Sequence, residues 1–115
     1  MELTLLVIRS AKPEQLAEFY KHFGMTFEYH RHDNGPYHHS GHIGPTLLEI
    51  YPLAKGQERP DLTLRLGLAV DSFDDIIDKL KALGTTFHQA PTPTEWGEMT
   101  VIADPEGRKI GLYKK

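Results

Sequence analysis

Residues 16–27, LAEFYKHFGMTF, and residues 76–87, IIDKLKALGTTF, lie over one another without a gap at a shift of 60 positions. In that frame Leu16 meets Ile76, Ala17 meets Ile77 and Tyr20 meets Leu80, while Lys21, Gly24, Thr26 and Phe27 meet the identical Lys81, Gly84, Thr86 and Phe87. Upstream, Leu6 and Ile8 fall on Leu66 and Leu68. Downstream, Leu48-Glu49-Ile50-Tyr51 falls on Ile110-Gly111-Leu112-Tyr113 once the shift becomes 62, and the two extra positions read as a loop insertion. An internal repeat of this kind decides a fold, because each copy is one supersecondary unit.

Each copy opens with an apolar, β-suited run, Leu3 to Ile8 and Leu62 to Val70, followed by a helix. Leu16, Tyr20 and Phe23 form one face of the first helix, with Pro13 suited to its opening turn and Gly24 to its end. In the second, Phe73, Ile76, Ile77, Leu80 and Leu83 recur at helical spacing. Ser72 with Asp75 resembles a capping box, and Gly84 closes the helix. Three strands then follow in each copy: Met25 to His32, Tyr37 to Ile43 and Thr46 to Pro52, then Thr85 to Gln89, Glu98 to Ala103 and Lys109 to Tyr113. Turns fall at Asp33-Asn34-Gly35-Pro36, Gly44-Pro45 and Asp104-Pro105-Glu106-Gly107. The result is an α+β chain of two βαβββ modules in one domain, residues 1–115. Module 1 covers about 1–53, a polar linker about 54–61, and module 2 about 62–115.

Composition removes several classes of function. The 115 residues suit one domain, and 39% hydrophobic with 25% charged residues is an ordinary globular balance. A net charge of −3 with scattered Lys and Arg gives no basic stripe, so no nucleic-acid partner is expected. Apolar runs such as Leu5 to Ile8 fall far short of the ~20 residues of a membrane span. Met-Glu-Leu-Thr lacks the features of a signal peptide, so the expected location is cytoplasmic, away from membranes. Without cysteine there is neither a disulfide nor thiolate chemistry. No phosphate loop, serine elbow or catalytic carboxylate pair is present.

The doubled pattern, Phe19-Tyr20 ahead of Gly24, Leu48-Glu49-Ile50-Tyr51, and the tail Asp104-Pro105-Glu106-Gly107-Arg108-Lys109-Ile110 together resemble the vicinal oxygen chelate superfamily. This group spans glyoxalases, bleomycin-resistance proteins and extradiol dioxygenases. The resemblance covers nearly the whole chain. It implies strands curved into a half-open sheet with a ligand cleft inside and helices outside, and it implies a homodimer. It places metal ligands on the first and last strand of each module, here Leu5, Glu49, Arg65 and Gly111. Only Glu49 can ligate: Leu and Gly carry no donor, and a guanidinium stays protonated. The expectation is therefore no metal and no cofactor.

The resemblance and strand alternation nominate Leu5, Val7, His30, His32, Glu49, Arg65 and Trp96 as ligand-binding residues. Glu49 with Arg65 is read as a polar anchor for an anionic ligand group, as a structural ion pair, or with Arg65 snorkelling to solvent. His30 and His32 stand two apart on a strand and share a face. They belong to a histidine-rich stretch with His38, His39 and His42, read as serving ligand hydrogen bonding, acid–base work or, in a non-standard way, metal ligation, or else as a plain hairpin with exposed imidazoles near Gly35. Trp96 either stacks on a flat ligand or caps the core edge. Tyr51 and Tyr113 are read as packing residues turned away from the Glu49 face. The leading functional expectation is a metal-free protein that captures a small molecule. Its rivals are a lyase, isomerase or dioxygenase-like enzyme using Glu49 with a non-standard His site, and a scaffold with a filled cleft.

Overall fold

Leu48 and Ile50 are fully buried, and Leu16, Ala17 and Tyr20 are buried opposite them. Strand alternation and helical period thus meet on a shared apolar side. In the computed structural model, which describes residues 1–115, the chain forms two compact units, Met1–Asp61 and Leu62–Lys115. The first holds β1 (Leu5–Ser10), α1 (Pro13–Lys21), β2 (Glu28–His30), β3 (His38–Ile43) and β4 (Thr46–Pro52). Its strands lie in the order β1-β4-β3-β2, with β1 parallel to β4 and the other pairs antiparallel. The second holds β5 (Leu66–Val70), α2 (Phe73–Ala82), β6 (Phe87–Thr94), β7 (Gly97–Ala103) and β8 (Lys109–Lys114). Its order, β5-β8-β7-β6, and its one parallel pair, β5 with β8, repeat the plan. Both sheets keep free edge strands, so neither closes into a barrel, and the βαβββ modules are as the sequence implies. No helix is long and apolar enough to cross a membrane.

The helices pack through the residues that the periodicity selects. On α1, Phe19 and Tyr20 join Leu16 and Ala17 in the core. The rings of Phe19, Tyr20 and Phe23 meet edge to face at 5.2–5.9 Å. On α2, Phe73, Ile76, Ile77 and Leu80 are buried. Leu83 is not part of that stripe; it is 57% exposed, just past the last helical residue. The capping box also fails to form. Ser72 takes a left-handed backbone (φ 53°, ψ 41°) and makes no side-chain cap bond, whereas a capping serine needs an extended backbone. Gly84 does close α2 as expected, at φ +77°.

Two strand boundaries move for physical reasons. β2 spans only Glu28–His30, not Met25 to His32. Residues 25–27 are β-suited, but they cross over β3 at Gly41, where an added Cβ would strike the Thr26 carbonyl oxygen and crowd Phe27. The two extra residues of module 2 are also divided. Ser40 pairs with Glu49 and Val101 with Gly111, so β3 maps onto β7 at a shift of 61. One residue therefore enters before β7, where the β6–β7 ladder shows register shifts, and one in the turn before β8.

That second turn buries charge. Asp104 Oδ1 accepts the backbone N–H groups of Glu106 and Arg108 at 2.8 and 3.0 Å. Arg108 Nη1 bridges Asp104 Oδ2 at 3.1 Å and Glu106 Oε1 at 2.8 Å, with all three side chains nearly enclosed. Burial works to lower the Arg108 pKa, but hydrogen bonds to Glu106 and Asp104 outweigh it and hold the guanidinium above its ordinary value.

Candidate functional site

Alternation along β4 sends Leu48 and Ile50 to the helix side and Glu49 and Tyr51 to the other. The antiparallel register then sets Ser40 beside Glu49 and brings His38, two residues earlier on β3, toward Tyr51. On β2, His30 pairs with His38. The chain next turns through Asp33, at φ +50°, with the Gly35 N–H donating to the His32 carbonyl at 2.9 Å, and this keeps His32 beside the other two rings. The three imidazole centroids form a triangle with sides of 5.1, 4.8 and 5.1 Å.

His38 is the hub. Its Nε2 stands 3.0 Å from Glu49 Oε2, both side chains being buried. Its Nδ1 lies 3.2 Å from the Pro36 carbonyl oxygen. A carbonyl only accepts, so Nδ1 carries the proton of that bond, and the proton shared by Nε2 and Glu49 is a second one. The ring stacks on Tyr51 at 4.1 Å with an interplanar angle of 8°. Arg9 in turn lies 4.8 Å over Tyr51. His32 Nε2 approaches Glu49 Oε2 to 3.9 Å from a largely exposed position. His30 sets Nδ1 3.8 Å from Glu28 Oε2, while its Nε2 is buried with no hydrogen-bond partner. The four ligating atoms of His30, His32, His38 and Glu49 all lie within 4.8 Å of one another.

Of the nominated residues, His30, His32 and Glu49 share this cluster. Leu5 and Val7 are exposed on β1 and pair with Leu47 and Glu49, so Val7 sits at the carboxylate's own level. Arg65 is exposed just ahead of β5, while Glu49 takes its partners from His38, His32 and Ser40 of its own module. Trp96 is 77% exposed at the tip of the β6–β7 hairpin. Its backbone N–H donates to Thr94 Oγ1 at 3.1 Å. Two readings need correction. His38 received no separate role, yet it joins Glu49 to the other imidazoles; the pairing of Ser40 with Glu49 across the Gly44-Pro45 turn is the signal that finds it. Tyr51 lies two residues past Glu49, an even step, so it shares the carboxylate's face instead of turning from it.

The positions that the resemblance assigns to a metal do not form that centre. Leu5 and Arg65 supply no ligand, and at Gly111 the ring of Tyr113 lies 3.3 Å from where a Cβ would stand. The expectation of a protein without metal rested on those four positions. The observed cluster keeps Glu49 from among them and adds three histidines that lie outside them.

On the helix side of the same sheet, Glu14, Glu18, Phe27, Tyr29, Tyr37 and His39 line a cavity of about 580 Å³. Burial pushes the His39 pKa down, against the opposing pull of Glu14.

Two four-stranded mixed sheets, each with its helix and one parallel pair, define the class of protein to which the chain conforms. It belongs to the Glyoxalase/Bleomycin resistance protein/Dioxygenase superfamily, whose sequence model matches residues 3–112. No curated protein matches the chain. Among solved structures it is similar to TnmS3, an antibiotic binding protein from Streptomyces sp. CB03234. The two are 21% identical, with 99% of this chain and 95% of that one covered and a TM-score of 0.77. A glyoxalase/bleomycin resistance protein from the same organism shares 23% identity over 97% of this chain and 99% of its own, with a TM-score of 0.74. TioX from Micromonospora sp. ML1 shares 15% over 97% of both chains, with a TM-score of 0.71. At these identities the likeness concerns the fold.

Proposed function

We propose that this protein binds a small organic molecule on the open face of its first module and acts on it through the Glu49–His site, in lyase- or isomerase-type chemistry. The observation that carries this reading is the buried Glu49 carboxylate held 3.0 Å from His38, with His32 and His30 converging on it. A carboxylate beside an imidazole is a device for accepting and returning a proton, and a purely apolar capture site has no use for one. Exposed Leu5 and Val7 supply an apolar wall beside it.

A panel of small carbonyl compounds in D₂O tests this. Deuterium incorporation next to the carbonyl, lost in E49Q and reduced in H38Q, supports it. Tight binding without exchange, indifferent to both substitutions, supports simple capture instead, the reading favoured by similarity to an antibiotic binding protein. A homodimer belongs to the same proposal, and sedimentation at twice 13.1 kDa is its expected result.

A further inference from the structure

We propose that His30, His32, His38 and Glu49 form a binding site for a borderline divalent transition-metal ion, of the Zn²⁺, Co²⁺ or Ni²⁺ class, built wholly within the first module. The proposal rests on the reading of the Glu49 cluster as the working centre and names the ion that would occupy it. Three imidazoles and one carboxylate are the donors that such ions prefer, whereas Mg²⁺ and Ca²⁺ require mostly oxygen.

The geometry comes in two halves. Glu49 and His38 are buried, and their facing atoms are 3.0 Å apart. Donors around a tetrahedral ion with bonds of about 2.0–2.1 Å stand about 3.3–3.4 Å from one another, so this half is already close to the required spacing. His32 Nε2 is 3.9 Å from the same carboxylate oxygen, and the widest separation in the set is 4.8 Å. The side chains that must move inward are those free to do so: His32 is 69% exposed and His30 37%. A fixed pair with two adjustable imidazoles can close on an ion without disturbing the sheet.

The surroundings also fit. His38 uses Nδ1 on the Pro36 carbonyl, which fixes the ring and leaves Nε2 as the ligating atom. Tyr51 stacks flat against the ring and removes its rotational freedom. Glu28 stands on the Nδ1 side of His30. Above all, His30 Nε2 is buried and unpartnered. A cluster held together only by its own hydrogen bonds has no reason to leave that nitrogen orphaned, because a buried polar atom without a partner costs free energy. An ion gives it a partner. Such ions bind imidazole and carboxylate in their deprotonated forms, so protons compete with the ion for the site.

The test is a Co²⁺ titration of untagged, chelator-stripped full-length protein, followed by visible ligand-field absorption, with elemental analysis of protein purified without chelators. One equivalent should bind, with bands of a low-coordinate nitrogen–oxygen site, and affinity should fall as pH is lowered. H32Q and H30Q, at positions that are at least partly exposed, should each weaken binding roughly ten-fold or more, while H39Q and H42Q should leave it unchanged. Unaltered Co²⁺ affinity in both H32Q and H30Q, or no stoichiometric binding by the parent protein, overturns the proposal; the exposed variants keep this decisive even if H38A fails to fold. The outcomes separate it from the functional reading. Protein that takes up no stoichiometric Co²⁺ yet exchanges deuterium in an E49Q-sensitive way refutes the ion and keeps the acid–base site. Stoichiometric Co²⁺ with no ligand response to E49Q upholds the ion and removes that function.

Discussion

The two modules agree on one side of their sheets and part company on the other. Facing the helix, Leu48 and Ile50 of β4 and Ile110 and Leu112 of β8 are all at most 1% exposed, and Leu16 and Tyr20 answer to Ile76 and Leu80. On the opposite side, Val7 beside Glu49 in module 1 becomes Gly67 beside Gly111 in module 2. Tyr113 lies over both glycines, with its Cε2 3.2 and 3.3 Å from where their Cβ atoms would be. Tyr51, its counterpart, stacks on His38 instead. One tyrosine position thus covers bare backbone in one module and braces a polar cluster in the other. A duplicated unit must keep its apolar side to fold, whereas its open side is free to gain or lose chemistry. In module 2 the buried charge lies in the turn before β8.

Sharpening that contrast begins at the turn. R108A leaves Asp104 and Glu106 enclosed without their cation, and urea unfolding should show a loss of about 3–5 kcal/mol. A loss under ~1 kcal/mol would mean that this turn is not where module 2 stabilises its charge. A smaller effect is expected at the glycines. G67V, which imports the residue of module 1, should push Tyr113 aside and cost about 1–3 kcal/mol. The double substitution with Y113A should recover part of that cost in a thermodynamic cycle; additive losses would show that the ring and the glycine are not coupled. In module 1, E49L removes the partner of His38 Nε2 and should cost about 1–3 kcal/mol by chemical denaturation. G111L at the matching place in module 2 breaks no hydrogen bond and tests overpacking alone.

The smallest effect concerns pH. Burial lowers the folded pKa of His39 below 6.5, while Glu14 and Glu18 pull it up and Lys21 and His38 push it down. The neutral ring is thus favoured in the folded state. Its contribution is complete above about 6.5 and is lost as pH falls through the folded value. H39Q should flatten the stability profile below 6.5 and leave it unchanged above. An NMR titration of His39 with a midpoint above 6.5 would contradict the sign.

The fold was readable because apolar spacing reports local geometry: Thr46 to Pro52 is bounded as expected, and the helices bury Leu16 and Tyr20, and Phe73, Ile76, Ile77 and Leu80, of the residues that their period selects, while Leu83 falls outside. What escaped the reading depends on register. Met25 to Phe27 have strand-forming side chains, but only the crossing at Gly41 shows that they leave the ladder. Ser72 has the chemistry of a cap without its backbone. His38 matters through a pairing fixed by the length of the Gly44-Pro45 turn, and Tyr51 through an even count from Glu49. Both are visible only once strands are aligned against one another, which is why the polar cluster was half seen.

Trp96 has a practical consequence. It is the single tryptophan, and it stands in water at a hairpin tip while the core is built from aliphatic residues, phenylalanine and tyrosine. Its indole therefore meets nearly the same solvent in the folded and unfolded chain, and its emission will change little across a melting curve. A flat assay trace from this protein is not a sign of stability. The same indifference makes the residue a quiet reporter: a blue shift in its fluorescence signals that something has come to rest on the β6–β7 hairpin.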